Sequence, residues 1–289
     1  GAMPDVGAYE AGGELWVAGI DWDPAMGPIG YTDSRLVNLS VRTPMAEGQN
    51  LIVGFVVSGG SRQMLVRAVG PGLNGIIEGW HPDPELQLFR GGAEVAANDD
   101  WPASLKDAMD ALGAFALPDG SADAALQYDV DAAFSAHVHG PGTGLILLEG
   151  YDAGGDEKAE LLNVSARNFS GADDAKLIAG FVIEGTMPRT VLIRGVGPTL
   201  AADPFNISGV LEDPKLEVFD EDGKLVAEND TWPVTLTPLF DEIGAFQFIP
   251  GSSDAALRVT LQPGVYTAQV SGAAGQTGEA LVEVYALPR

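Results

Sequence analysis

The residues of this chain with chemistry to offer are carboxylates that recur at fixed places. The stretch Ala-Asn-Asp-Asp-Trp-Pro (Ala97–Pro102) returns 131 residues later as Glu-Asn-Asp-Thr-Trp-Pro (Glu228–Pro233). Asp99, Asp100 and Asp230 in these turns, with Asp123 and Asp254 from a recurring Asp-Ala-Ala-Leu, form a candidate Ca2+ set. Asp83 and its counterpart Asp213 could add oxygens. Calcium takes six or more oxygen ligands, so several loops would have to converge. The competing reading is structural: Asn-Asp closes a turn by side-chain-to-backbone hydrogen bonds, and Trp101 or Trp232 packs beneath it.

Other side chains suggest recognition. Trp16, Trp22 and Trp80 have no Trp counterpart elsewhere in the chain, and Trp22 lies between Asp21 and Asp23. An exposed Trp beside carboxylates can stack on a sugar ring while the acids bond its hydroxyls. Packing in a core is the alternative fate. His137 and His139 alternate on one strand, share a face and could ligate a metal. No third ligand accompanies them, and they read as surface histidines. Arg67 and Arg194 sit inside apolar strands before Val-Gly-Pro. A buried charge needs a partner, and one of the repeated Asp residues is the expected one, giving an ion pair that serves the fold.

Catalysis finds little support. The chain has no Gly-x-Ser-x-Gly elbow, no His-Glu-x-x-His and no phosphate-cradling Gly loop. Its 41 acids supply many carboxylate pairs of the kind that hydrolyse glycosides. Those at fixed places sit on turns, however, so no enzyme is expected and no catalytic residue is named.

Composition narrows the classes further. A net charge of −26 with only 15 Lys and Arg repels nucleic acid and anionic membranes. It reads as a solvated acidic coat or, alternatively, as a surface that collects divalent cations. The absence of Cys excludes disulfides, thiolate zinc sites and a Cys nucleophile. No apolar run is long enough to cross a bilayer, so no membrane insertion is expected.

The elements that must position these residues come from a tandem duplication. Leu-Val-Asn-Leu-Ser-Val-Arg (Leu36–Arg42) returns as Leu-Leu-Asn-Val-Ser-Ala-Arg (Leu161–Arg167). Leu51–Gly59 returns as Leu177–Gly185, Val66–Leu73 as Ile193–Leu200, and Asp83–Phe89 as Asp213–Phe219. The match closes with Leu147–Tyr151 against Leu281–Tyr285. The copies span 35–158 and 159–289. Residues 1–34 form an N-terminal extension, in which Gly13–Asp21 resembles the closing strand at Gly144–Asp152.

Within each copy the apolar period is mostly two, which predicts about eight strands and an all-β fold. Asp222-Gly223 predicts a hairpin tip. Gln262-Pro263-Gly264 and Gly140–Gly144 predict two further hairpin turns. Continuous apolar runs at Leu177–Ile183 and Thr190–Val196 predict strands covered on both faces. Leu105, Ala108, Met109 and Leu112 keep a helical spacing, repeated by Leu236, Leu239, Phe240 and Ile243. Gly113 and Gly244 follow where a left-handed cap is wanted. Each copy should therefore be an antiparallel jelly-roll-like sandwich with one short helix plugging an open end.

The stretch from Pro214 to Asp230, followed by Asp254–Gly272, resembles bacterial pre-peptidase C-terminal (PPC-type) domains. These share a strand, a D-x-D-G-like turn, an Asn-Asp turn and a Pro-Gly-x-Tyr strand. The whole unit is similar to a module repeated in large exported bacterial proteins. Copy one departs from the pattern, with Arg90-Gly91-Gly92 at the tip and Asp131-Ala132-Ala133-Phe134 in place of Pro-Gly-Val-Tyr. The resemblance implies a secreted or cell-surface, non-catalytic accessory module within a larger protein, with Ca2+ as a possible ligand. The expected role is adhesion to polysaccharide or a surface protein. The alternatives are a structural spacer and a carboxylate-based glycoside hydrolase.

Overall fold

A computed structural model describes residues 34–172 and 175–288. Trp16, Asp21, Trp22, Asp23 and the strand expected near Gly13 lie outside the described residues. Copy one contributes strands β1 (Arg35–Met45), β2 (Leu51–Ser58), β3 (Arg62–Val69), β4 (Glu85–Arg90), β5 (Ala93–Asn98), β6 (Ala124–Val130), β7 (Ala133–His139) and β8 (Gly144–Gly155). Copy two repeats the series as β9 (Glu160–Ser170), β10 (Leu177–Glu184), β11 (Arg189–Val196), β12 (Pro214–Asp220), β13 (Leu225–Asn229), β14 (Ala255–Leu261), β15 (Gly264–Gly272) and β16 (Gly278–Ala286). One short helix lies in each, α1 (Lys106–Ala111) and α2 (Thr237–Ile243), each preceded by a 3-10 turn. The architecture is the all-β antiparallel sandwich that the alternation predicts.

Strand pairing crosses the boundary between the copies. One sheet runs β6-β3-β8-β1-β10-β15-β12-β13, and the other β14-β11-β16-β9-β2-β7-β4-β5. Half of each sheet therefore comes from each copy. The first strand of a copy pairs on one side with its own last strand and on the other with the second strand of the opposite copy. Near the centre Leu36 pairs with Leu161, linking the two sheets. The inner faces close over a single core that includes Leu39, Phe55, Val66, Phe181, Ile193 and Val284.

At the seam, Ser40 faces Gly180 and Ser165 faces Gly54. A Cβ on Gly180 would run into Ser40 Oγ, and one on Gly54 would lie 2.6 Å from Ser165 Oγ. The Gly and the Ser recur in both copies because each copy supplies one member of each contact.

Two of the expected hairpins are not hairpins. Among the described residues β14 pairs only with β11, while β15 lies in the other sheet between β10 and β12. The Gln262-Pro263-Gly264 turn therefore carries the chain from one sheet to the other. The Gly140–Gly144 turn does the same between β7 and β8. Period-two alternation fixes which face is buried, but not which neighbour a strand takes. The Asp222-Gly223 hairpin is formed, with Gly223 at φ +72° and the amides of Asp222 and Lys224 donating to Asp220 Oδ1.

The helical segments do not plug an open end. Each lies across the outer face of one half-sheet, because β3 and β11 are apolar on both faces and need a second cover. In copy one, Trp101, Met109 and Leu117 bury Leu65, Val69 and Ala125. In copy two, Trp232, Phe240 and Phe248 bury Leu192, Val196 and Ala256. Gly113 (φ +66°) and Gly244 (φ +71°) take the left-handed conformation just past the helices.

Candidate functional site

Duplication brings charged residues to equivalent places, and most are consumed by the fold. Arg67 is fully buried on the outer side of β3, directly opposite Glu149 of β8. Its Nε and Nη2 donate to Glu149 Oε2 at 3.1 and 2.5 Å, and its Nη1 donates to the Phe115 carbonyl at 2.7 Å. The guanidinium lies 4.5 Å from the Phe115 ring centroid. Tyr151 donates to the other carboxylate oxygen, Oε1, at 2.7 Å. Copy two repeats the arrangement with Arg194, Glu283, Phe246 and Tyr285. Burial, followed by the neighbouring Glu, pushes both tyrosine hydroxyls well above their ordinary pKa. The expected Asp partner of these arginines is thus corrected: each pairs with the Glu of the closing strand, the acid directly across the ladder.

The recurring Asp residues serve turns. The amides of Gly70 and Gly72 donate to Asp123 Oδ1 at 2.8 and 3.0 Å, and Ser121 Oγ donates to Oδ2 at 2.6 Å. Asp254 holds Gly197, Thr199 and Ser252 in the same way. Both carboxylates are fully buried and pin the Val-Gly-Pro turn that follows β3 or β11. Their backbone carbonyls accept the amides of Trp101 and Trp232 at 2.8 Å.

Asn98 Oδ1 accepts the Ala125 amide and its Nδ2 donates to the Asp100 carbonyl, so the side chain clamps the turn to β6. Asn229 repeats this with Ala256 and Thr231. Trp101 and Trp232 are buried beneath, while Asp99, Asp100 and Asp230 point to solvent. The five acids do not converge. Among the described residues no three His, Cys, Asp or Glu side chains are gathered so as to hold a metal.

Trp80 is half-buried against the cluster under α1 and is not an open platform. His137 packs on Phe89, ring centroids 4.4 Å apart, and contacts Ser135 Oγ at 3.0 Å. Burial, then the nearby His139, lowers its pKa below the ordinary imidazole value. His139 Nδ1 lies 3.4 Å from Glu85. Sequence reasoning passed over the third histidine. His81 is fully buried at the place Leu211 takes in copy two, and burial lowers its pKa most, against Asp83 and the Gly142 backbone, which raise it.

Three arginine pairs recur in both copies. Arg67 and Arg194 hold their Glu partners. Arg62 pairs with Asp152 at 2.6 Å, and Arg189 with Glu160 at 3.3 Å. Arg42 and Arg167 have no carboxylate partner among the described residues. Arg167 lies on the outer face at the seam, between Ile52 of β2 and Leu281 of β16. Ile52 pairs in turn with His137. Two adjoining cavities of about 390 Å3 each meet at Ile52 and Arg167. The signal in the sequence was present: this arginine closes the first repeated block.

Two further clefts flank the seam beneath the ends of α1 and α2, of about 460 and 630 Å3. Their arginines are already paired: Arg35 with Glu184 at 3.1 Å in one, Arg189 with Glu160 in the other.

The geometry defines an antiparallel β-sandwich of two fused halves with an open groove across the seam. No family model matches the chain, and no curated protein does. Among solved structures it aligns with "Structure of PNGF-II in C2 space group" at TM-score 0.23 and 10% identity, over 90% of this chain and 62% of that one. The chain thus spans less than two thirds of that protein. It also aligns with the Sulfolobus turreted icosahedral virus structure at TM-score 0.20 and 10% identity, over 88% of this chain and 91% of the other. A third is the 11S allergen from Cocos nucifera, at TM-score 0.17 and 7% identity, over 89% and 87%. Likeness at this level carries no argument about function.

Proposed function

We propose that this chain is a non-catalytic binding module of an exported bacterial protein, holding a polysaccharide or a surface partner on the open face around Arg167. The observation that carries the reading is the contrast between this arginine and the buried arginines of the repeat. Arg62, Arg67, Arg189 and Arg194 are paired inside the fold, whereas Arg167 makes no ion pair within 4 Å and lines an open groove together with Asn50, Ser208 and Glu279. His137 and Phe205, found in one copy only, lie on or beside the same face. The likeness of copy two to PPC-type domains points the same way.

A general acid or base must present a proton-carrying group to substrate. The buried carboxylates Asp123, Glu149, Asp152, Asp254 and Glu283 are all held by internal donors. This favours binding over hydrolysis. A second reading, a rigid spacer, is favoured by sheets that run unbroken through both copies.

A glycan array probed with the full chain tests the choice. Retention on a polysaccharide whose chain length then stays constant is expected. Shortened products, lost when one acid is replaced, would substitute a hydrolase. Silence across the array would leave the spacer.

A further inference from the structure

We infer that the seam between the two copies is an exchangeable joint, and that the partner it fits is a second copy of this chain. Copy one of one molecule completes its sandwich with copy two of another, which links the two molecules. This goes beyond the binding reading above and does not depend on it.

The seam has the form of an isologous interface, in which a surface patch meets its own equivalent. Leu36 pairs with Leu161, and Asn168 Nδ2 donates to Thr43 Oγ1 at 3.0 Å. In each case the two residues hold the same place in the repeat. Ser40 against Gly180 and Ser165 against Gly54 are likewise one contact made twice. What one copy offers the other accepts, whichever chain carries it.

Neither copy is complete alone in this arrangement. Without the opposite copy, β1 would show the ladder groups that β10 takes up, and β2 those that β9 takes up. Bare edges of this kind recruit another strand. Leu39, Val53, Val164 and Phe181 belong to the single core that both copies share, so they too need a second copy to cover them. The connection between the copies is short: β8 ends at Gly155 and β9 begins at Glu160. Short hinges invite exchange between chains.

Charge does not bar a second chain from the seam. The strand segments 36–43, 51–57, 161–168 and 177–183 hold no Asp or Glu, in a chain that has 41. Their charged residues are Arg42 and Arg167. Repulsion between two molecules of net charge −26 therefore arises elsewhere on the surface, where salt screens it.

The test exploits the absence of Cys. A Cβ on Gly180 would lie 3.7 Å from Ser40 Cβ, within the span of about 3.5–4.5 Å that a disulfide bridges. Ser40→Cys and Gly180→Cys are placed in separate full chains, unfolded together in denaturant, refolded under reducing conditions and then oxidised. Exchange alone brings the two cysteines face to face between molecules. A disulfide-linked dimer with one chain of each kind is expected, its ratio to monomer rising about tenfold for a tenfold rise in monomer concentration. A chain carrying both substitutions, refolded in dilute solution, should close the bond internally. Either single variant refolded alone should form no linked dimer, because its Cys then faces Gly or Ser. No linked dimer in the mixture, or equal linkage in one variant alone, overturns the inference. Should Gly180→Cys fail to refold, light scattering of the wild-type chain refolded over the same concentrations decides: a dimer that grows with concentration supports exchange, and a monomer throughout overturns it.

Discussion

Arg194 and Glu283 face each other across β11 and β16, the guanidinium fully buried and the carboxylate 4% exposed, under a lid of Phe240, Phe246 and Phe248. Arg67 and Glu149 do the same in copy one. Removing one member strands the other charge in an apolar setting. Arg194→Met should therefore destabilise the protein by roughly 3–5 kcal/mol, with Glu283→Leu similar, while the double substitution recovers much of the loss. Denaturant unfolding of the four proteins in this cycle measures it. A double substitution as damaging as the sum of both singles would mean that the two charges are not coupled and would overturn this prediction.

His81 links stability to pH. It occupies a core position that Leu211 fills in the other copy, and its folded-state pKa is lowered, chiefly by burial. The unfolded chain therefore takes the proton first. Stability is full above the unfolded value of about 6.5 and falls as the pH drops below it. His81→Leu should remove much of the decline in thermal midpoint between pH 7 and 5. His137→Gln, which installs the residue copy two carries at Gln269, should remove a smaller part, since His137 is only half-buried. The check is a set of melts across that range. Parallel pH profiles for wild type and His81→Leu would contradict the assignment.

Asp123 and Asp254 make a second kind of prediction, about calcium. With each carboxylate already holding backbone amides and a hydroxyl, there is no oxygen left facing an ion. Melts with Ca2+ and with a chelator should coincide. A native-state site would instead add about 2.7 kcal/mol at a hundredfold excess over Kd. Asp123→Asn should lower stability by roughly 1–3 kcal/mol in either buffer, because a carboxamide cannot accept from all three donors.

The strands, the two short helices and the burial of the recurring Trp residues were legible because each depends on local periodicity or on a turn residue. Gly223 and Gly244 are examples: a left-handed backbone needs glycine, and the sequence places it there. What depends on a neighbour was not legible. The pattern of β1 is the same whether it pairs with β2 or with β10, so the exchange of halves left no trace in one copy read alone. The partner of Arg67 was hidden for the same reason. Glu149 lies 82 residues away, within a repeated block that reads as core strand, and only the β3–β8 register brings it across. Arg167 escaped notice because an arginine in an alternating strand looks like any solvated charge. Its place at the seam, with Ile52 on one side and Leu281 on the other, comes from the register that only the packed structure reveals.

The seam offers the last prediction, because its two contacts are related by the duplication. Ser40 Oγ stands where a Cβ on Gly180 would go, and the next atom, Ser40 Cβ, is 3.7 Å away. Gly180→Ala should force the hydroxyl aside and destabilise the protein by about 1–3 kcal/mol. Ser40→Ala removes the obstructing oxygen and leaves ordinary contact, so the pair Gly180→Ala with Ser40→Ala should restore most of the loss. Because β1 and β10 belong to different copies, the penalty should appear as a shift of one cooperative transition and not as the melting of one half. Differential scanning calorimetry distinguishes these: two resolved transitions in Gly180→Ala would show that the halves fold independently and that the seam is a contact between finished units.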